Sequence, residues 1–254
     1  MDTDRSLLFS AWKKLVQVYV VSFAISLVAG TVFVKVLHVQ PERLFELSSK
    51  RLSYAYPVFE SGVAHGIDMG VLLFAWNIAG AMITLFFIYA AALFDPDHSQ
   101  SPPRWLRSIF CGRSRMKLLC YLPGCAKIEA EPLRRLYVWL MVPFLGLMLL
   151  GIESGLQVST ATALFGSFFS AFVALLPHGV IEIPAFALAG AVPYSANLLI
   201  GTKTPGSPTH LVFQKVETHK RQLPILMITA LVIVGLLLAG LIEAHVTPLL
   251  SASP

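Results

Sequence analysis

Charged side chains are scarce in this sequence. Asp, Glu, Lys and Arg make up 13% of its 254 residues, whereas hydrophobic residues make up 56%. An ordinary soluble domain carries about 25% charged residues, so a soluble fold with its whole surface exposed to water is excluded. The formal net charge of +5 is typical of a membrane protein, in which excess Lys and Arg report orientation and contact with anionic lipid.

The sequence also lacks the motifs of soluble catalysis and of cofactor binding. It contains no phosphate-binding nucleotide loop, no Ser/His/Asp arrangement, no paired-aspartate site and no haem motif. No motif for binding nucleic acid is present either. The sequence therefore predicts no cofactor and no nucleic-acid partner, and it favours a role other than that of an enzyme.

Cysteine is rare, and its three copies share one basic loop. They are Cys111, Cys120 and Cys125. An odd number of cysteines is not a disulfide framework, and the C-x8-C-x4-C spacing is not a zinc pattern. We therefore expect free cytosolic thiols.

Long apolar runs dominate what is present. Residues 223–244 contain no charge before Glu243, and at about 1.5 Å per residue they span the roughly 30 Å hydrocarbon core. The run 16–36 is interpreted as a retained first helix rather than a cleaved signal. The sequence predicts an all-α, polytopic membrane helix bundle that forms a single integral membrane domain over 1–254. Its helices are expected near 14–36, 69–94, 136–156, 161–176, 179–199 and 223–245.

The distribution of Lys and Arg distinguishes five membrane segments from six. If the fourth and fifth helices cross separately, 11 of the 19 basic residues lie inside and 8 outside; if they make one net crossing, 15 lie inside and 4 outside. The positive-inside rule favours the second arrangement. It predicts a break at Pro177-His178-Gly179 between these helices, a cytoplasmic N-terminus and a multi-pass protein of the plasma membrane.

A basic loop at about 95–135 is the largest soluble feature, and it is predicted to face the cytosol. Residues 104–122 mix basic and apolar side chains. This mixture is typical of a helix lying on anionic lipid at the inner surface, or of a docking surface for a soluble partner. The polar segment 38–68 is predicted to leave the bilayer and to form a short surface helix.

Polar side chains inside the apolar runs form a candidate intramembrane site. Its members are Asn77, His178, Gly179, Glu182, Pro184, Glu243 and His245. His178 and Glu182 are four residues apart and share a helix face. Pro184 suits the first turn of a half-helix, whose N-terminus would stabilise the Glu182 carboxylate. Intramembrane Glu and His are costly, so they tend to be paired and functional.

Three roles for this site stay open at this point. The polar residues could form a hydrogen-bonded network that fixes helix packing, with Asn77 making an interhelical hydrogen bond, or they could line an ion or substrate pathway. A metal site is the third role. Two His and two Glu suit zinc, but neither HGVIE nor EAH is a catalytic zinc signature. The candidate ligands are His178, Glu182, Glu243 and His245. Elsewhere, the spacing of Gly151 and Gly155 suits close helix packing.

Three stretches resemble the stage II sporulation protein M family of bacterial and archaeal membrane proteins. They are LPHGVIEIPAFALAGA (176–191), LAGLIEAHVTP (238–248) and, more loosely, FAWNIAGAM (74–82). In the last, Trp76-Asn77 stands where the family has a double Asn. The resemblance covers about residues 12–248 and implies a multi-pass membrane fold; it points to His178, Gly179, Glu182, Pro184, Glu243 and Asn77.

The resemblance also implies a role in a complex. The named family member takes part in engulfment during sporulation, together with two other proteins, one of them a cell-wall hydrolase. Our first hypothesis is accordingly a non-enzymatic component or anchor of a membrane complex. Its partners would be other membrane-complex proteins, anionic lipids at the inner surface and a second copy of the chain. The alternatives are a transporter or channel subunit and an intramembrane metal-dependent enzyme.

Overall fold

Every described segment with regular structure is a helix, which confirms the predicted all-α class. The computed structural model describes residues 2–90, 125, 128, 130–203 and 208–247, without the side chains of 2–5, 51–52, 90, 173–178 and 202–203. The helices are α1 (Asp2–Lys35), α2 (Pro41–Ser53), α3 (Tyr56–Ala64), α4 (Met69–Phe86), α5 (Glu131–Leu140), α6 (Val142–Phe165), α7 (Phe168–Lys203), α8 (Thr209–Gln222) and α9 (Ile225–His245), with a 3-10 turn at Phe87–Ala90.

Five segments in the described part of the chain are long and apolar enough to cross a membrane. They are Ser6–Lys35, Met69–Tyr89, Glu131–Phe165, Gly179–Gly201 and Ile225–His245. The third combines α5 and α6, and the fourth lies within α7. The prediction of a polytopic helix bundle with five or six segments is confirmed, with five.

The predicted break at Pro177-His178-Gly179 is not confirmed, because α7 is helical from Phe168 to Lys203. The chain turns instead at Gly166, whose φ of 76° lies in the left-handed region that ends helices at glycine. The helix expected at 161–176 is therefore divided between the end of α6 and the start of α7, and the helix expected at 179–199 lies within α7. Proline is tolerated inside a membrane helix where neighbouring groups satisfy the freed backbone.

Helix α7 is the centre of the bundle. It packs against α1, α4, α5, α6, α8 and α9. Alanines supply much of its buried surface: Ala187, Ala189, Ala191 and Ala196 are all fully buried. Small side chains let the surrounding helices come close to the α7 backbone, which is how helices associate in lipid.

The closest helix pair is α1 with α6. Small residues four apart line both helices, with Ser22, Ser26 and Gly30 on α1 and Gly151, Gly155 and Ser159 on α6. A Cβ atom at Gly151 would lie 2.5 Å from the carbonyl oxygen of Tyr19, so the two backbones touch. The Ser26 hydroxyl also donates a hydrogen bond to the Gly151 carbonyl at 3.3 Å. The spacing of Gly151 and Gly155 predicted such packing, but the matching residues on α1 were not recognised.

The five spans assign the described connecting segments alternately to two sides of the membrane. Cys125, Ile128 and α8 lie on the side from which α1 starts, and α2 and α3 lie on the other side. Assigning each Lys and Arg to the nearer end of its span puts 15 of the 19 on the α8 side. We call this the basic side. On the opposite side, α2 (Pro41–Ser53) confirms the short helix predicted within 38–68.

Helices α5, α8 and the end of α7 pack together on the basic side, and we call this unit the cap. Its core includes Leu133, Leu136, Ile200, Val212 and Val216, all at most 2% exposed. Cys125 and Ile128 are buried in the same core. Of the basic loop predicted at 95–135, the structure describes Cys125, Ile128 and residues 130–135; the rest, with Cys111 and Cys120, lies outside the described residues.

Candidate functional site

Glu182 lies half-buried on α7, in the interior of the helix rather than at its start. The proposed half-helix N-terminus is therefore absent at this position. Its carboxylate acts electrostatically on Tyr19 of α1, whose hydroxyl lies next to the Ser154 side chain of α6. The Ser154 hydroxyl donates a hydrogen bond to the Leu150 carbonyl of its own helix at 2.9 Å. Three helices thus meet at one polar junction, which we call the Glu182 junction.

Tyr19 and Ser154 are members of this junction that sequence reasoning missed. Tyrosine and serine are common in membrane helices, so neither residue type marks a site by itself. A usable signal was that Tyr19 precedes the small-residue row of α1 by one turn, and Ser154 adjoins Gly155 on α6. The junction can hold a proton or a cation at the carboxylate, or fix the packing of the three helices.

Pro184 also lies within α7, one of three prolines in that helix with Pro177 and Pro193. Its carbonyl oxygen accepts a hydrogen bond from the Trp12 indole Nε1 at 3.1 Å. This bond joins the first turns of α1 to α7 at a site where the proline ring removes one backbone donor. Gly179, five residues earlier, is half-buried.

Asn77 of α4 stands at about the depth of Glu182. Helices α4 and α7 run parallel, since Gly80 faces Phe186 and Thr84 faces Gly190. Asn77, three residues before Gly80, therefore lies at about the level of residue 183 of α7. Asn77 is half-buried and makes no hydrogen bond with any described residue, so the predicted interhelical bond is not found.

Glu243 continues the buried face of α9. Val232, Leu236 and Ala239 are fully buried, and Glu243 follows them at helical spacing, so its side chain is directed toward the bundle. It is half-buried and has no hydrogen bond or ion pair with the described residues. A carboxyl group so placed is a candidate for proton or cation binding.

His245 contacts Asp68 of α4 rather than Glu243. Its Nε2 lies 3.2 Å from Oδ2 of Asp68, and both side chains are exposed on the membrane side that is opposite the basic side. Asp68 is also the N-cap of α4, since its Oδ1 accepts hydrogen bonds from the backbone N–H of Gly70 (2.9 Å) and Val71 (3.3 Å). One carboxylate thus caps α4 and contacts the end of α9.

The metal hypothesis gains no support from the described residues. Nowhere in that part of the chain do three His, Cys, Asp or Glu side chains come together. The His178 side chain lies outside the described residues. The candidate site therefore divides into the Glu182 junction, the half-buried Glu243 and the Asp68–His245 pair.

The cap contains a second set of buried polar groups, in which sequence reasoning did not recognise Ser195 and His219. The Ser195 hydroxyl of α7 lies 2.8 Å from Nε2 of His219 on α8, and both residues are buried. Asn197 donates a hydrogen bond from Nδ2 to the Tyr137 carbonyl of α5 at 2.7 Å. These contacts fix α8 and α5 to the end of α7. The available signal was that His219 follows Val212 and Val216 on the apolar stripe of α8.

On the outer surface of the cap, two cations share one carboxylate. Lys220 Nζ lies 2.6 Å from Oε2 of Glu217, and Arg221 Nε lies 3.1 Å from Oε1. The hydrogen bond from Lys220, with help from Arg221, lowers the pKa of Glu217 below its ordinary value. Lys220 also lies over the Tyr89 ring, 5.0 Å from its centroid, which joins α8 to the end of the second span.

Comparison with known proteins gives one family. A family model described as Stage II sporulation protein M matches residues 19–248, which include most of the first span and all of the other four. No curated protein and no solved structure matches the chain. The matched range contains every candidate site residue, His178 among them, and it confirms the resemblance drawn from the three sequence stretches.

Proposed function

The chain belongs to the stage II sporulation protein M family, and from this we propose that it is a non-enzymatic component or anchor of a membrane complex. Its basic side would face the cytosol, in a plasma membrane, and would offer the docking surface. Family membership supports a multi-pass protein that works with others. The cap supplies the physical basis for docking.

The burial of Cys125 and Ile128 carries the proposal. They are 0% and 2% exposed, in one core with Leu133 and Val216. The end of the basic loop is therefore held against a packed unit. A loop fixed in this way loses less conformational entropy when a partner binds than a free loop would. The cap thus favours a docking role for the basic loop.

Orientation follows from the charge distribution. Fifteen of the 19 Lys and Arg residues belong to the basic side, and the positive-inside rule assigns such a side to the cytosol. The N-terminus would then be cytoplasmic, because α1 starts from the same side.

Affinity purification from the native membrane in mild detergent, with mass spectrometry, tests the docking role. We expect a stoichiometric partner, and we expect a variant with Arg104, Arg107, Arg113 and Arg115 changed to Gln to lose it. The matched control changes Arg43 and Lys50 to Gln on the opposite side, and it should keep the partner. A solitary wild-type protein, or equal partner recovery from both variants, would contradict the proposal.

A second candidate function is that of a transporter or channel subunit, and the Glu182 junction favours it. Glu182, Tyr19 and Ser154 bring polar groups from three spans together, and Glu243 adds a carboxyl on the buried face of α9. Polar groups at membrane depth commonly line ion pathways.

Flux through reconstituted protein tests this candidate. Proteoliposomes carrying pH-sensitive and sodium-sensitive dyes should show a flux that Glu182→Gln abolishes, because the amide cannot bind a proton or cation as a carboxylate does. Cys125→Ser, which changes a buried group of the cap instead, should leave the flux unaltered. Equal flux from wild type and Glu182→Gln would remove this candidate.

A further inference from the structure

A groove between α7 and α8 lies apart from the candidate site described above. It has a volume of about 270 Å³, slightly below the roughly 300–1,000 Å³ of sites that enclose a whole drug-sized ligand. Leu199 and Leu211 supply its apolar wall, and Gln214, Lys215, Thr218 and Gln222 supply its polar wall. The groove thus has room for the polar head of a larger amphiphile.

The polar wall is one continuous stripe of α8. Positions 214, 215, 218 and 222 are spaced three and four residues apart along the helix and so share a face. His219 also lines the groove, but its Nε2 is directed to Ser195. The buried face of α8, with Val212 and Val216, holds the stripe in place against the cap.

The charge of the groove selects an anion. Among the described residues, Lys215 is the one cation that lines it, and none of these lining side chains is acidic. Within the described residues Lys215 has no carboxylate partner, whereas Lys220 and Arg221 of the same helix both bind Glu217. An ammonium group beside amide donors suits a phosphate, which accepts charge-assisted hydrogen bonds.

The depth of the groove indicates that the phosphate comes from lipid. The second span ends at Tyr89 and the fourth at Gly201, and Lys220 of α8 lies over the Tyr89 ring. Leu199 is two residues before the end of the fourth span, so the groove lies where both spans reach the edge of the hydrocarbon core. The headgroup layer adds about 5–7 Å on each side of the hydrocarbon core. The groove therefore opens at the level of the lipid phosphates.

We propose that the α7–α8 groove binds the headgroup phosphate of an anionic phospholipid from the leaflet on the basic side. Lys215 donates to the phosphate oxygens, Gln214 and Gln222 donate to the rest of the headgroup, and Leu199 and Leu211 contact its glycerol end. Bound lipid would join α8 to the end of α7. The site is independent of the proposed complex, since it needs no partner protein.

Native mass spectrometry of the full-length protein in mild detergent, titrated with phosphatidylglycerol, tests the proposal. We expect one tightly held lipid on the wild type. Lys215→Gln should bind it about tenfold more weakly, because this variant loses one charge-assisted hydrogen bond. The matched control Lys220→Gln removes a paired cation from the same helix and should bind as the wild type does. Leu211→Trp, which fills the groove without changing charge, should also lose the lipid.

Two ligand controls identify the source of the phosphate. Phosphatidylethanolamine of the same chain length should bind more weakly, and inorganic phosphate should not displace phosphatidylglycerol at millimolar concentration. Unchanged binding by Lys215→Gln overturns the proposal, and so does equal loss in Lys220→Gln, which would indicate a general charge effect. Displacement by inorganic phosphate would also overturn it, in favour of a site for soluble phosphate.

Discussion

At the residue scale, glycine and serine decide how closely the first and third spans approach. A Cβ atom at Gly155 would lie against the Ser26 hydroxyl and the Phe23 carbonyl, and 2.8 Å from the backbone nitrogen of Leu27. Backbone atoms cannot move aside as a flexible side chain does, so the helices themselves would have to separate. In lipid, where helices gain little from burying apolar surface, this contact is a main source of their association.

Gly155→Ala is therefore expected to destabilise the protein by about 1–3 kcal/mol, the usual cost of overpacking. The measurement is the midpoint of thermal unfolding in detergent micelles. Gly146→Ala is the matched control, because Gly146 lies on the same helix and nothing stands within 4 Å of the added methyl. We expect the control to equal or exceed the wild-type midpoint, since Ala is the better helix former. Equal midpoints for the two variants would contradict the contact.

Half of this contact could be predicted from the sequence. Gly151 and Gly155 form a recognisable small-residue pair, but their partners Ser22 and Ser26 each stand 129 residues earlier. Small residues recur in several spans of this chain, and spacing alone does not say which rows face each other. The Glu182 junction was half-predicted for the same reason: Glu182 is conspicuous in an apolar run, whereas Tyr19 and Ser154 are not.

At the element scale, the turn between α6 and α7 is made at a glycine and not at a proline. The sequence placed a break at Pro177-His178-Gly179, because proline removes a backbone hydrogen bond. The chain turns at Gly166 instead, eleven residues earlier, with φ at 76°. Proline can persist in a buried membrane helix, since the cost of one lost bond is smaller than that of exposing several backbone groups to lipid. This balance depends on neighbouring helices and is not readable from local sequence.

Asp68 has two functions at the start of α4, and two substitutions separate them. Asp68→Ala removes the cap of Gly70 and Val71 and is expected to cost about 0.5–2 kcal/mol. Asp68→Asn keeps an oxygen for the cap but loses the charge that faces His245. Because that ion pair is exposed, it contributes at most about 1 kcal/mol. The midpoint of thermal unfolding in detergent should be close to the wild-type value for Asp68→Asn and well below it for Asp68→Ala. Equal losses of stability in the two variants would show that the His245 contact dominates.

At the scale of the whole molecule, hydropathy was enough to predict the class, and the distribution of Lys and Arg favoured five crossings over six. Each span is apolar for about 20 residues or more, and this property belongs to the chain itself. The cap could not be predicted in the same way. Its core joins Ile128 and Leu136 to Val212 and Ile200, residues that are separate in sequence and meet only because the third and fourth spans carry the chain across the membrane and back.

The orientation of the bundle is the last property to test, and two exposed positions on opposite sides allow it. In a variant whose three cysteines are replaced by Ser, Glu60→Cys places a thiol on α3 and His210→Cys places one on α8; both sites are exposed. Since the basic side is expected to be cytosolic, a membrane-impermeant maleimide applied to intact cells should label position 60 and not position 210. Labelling of position 210 after permeabilisation is the control that its thiol reacts. The reverse pattern in intact cells would place the cap, its docking surface and the lipid groove on the outside.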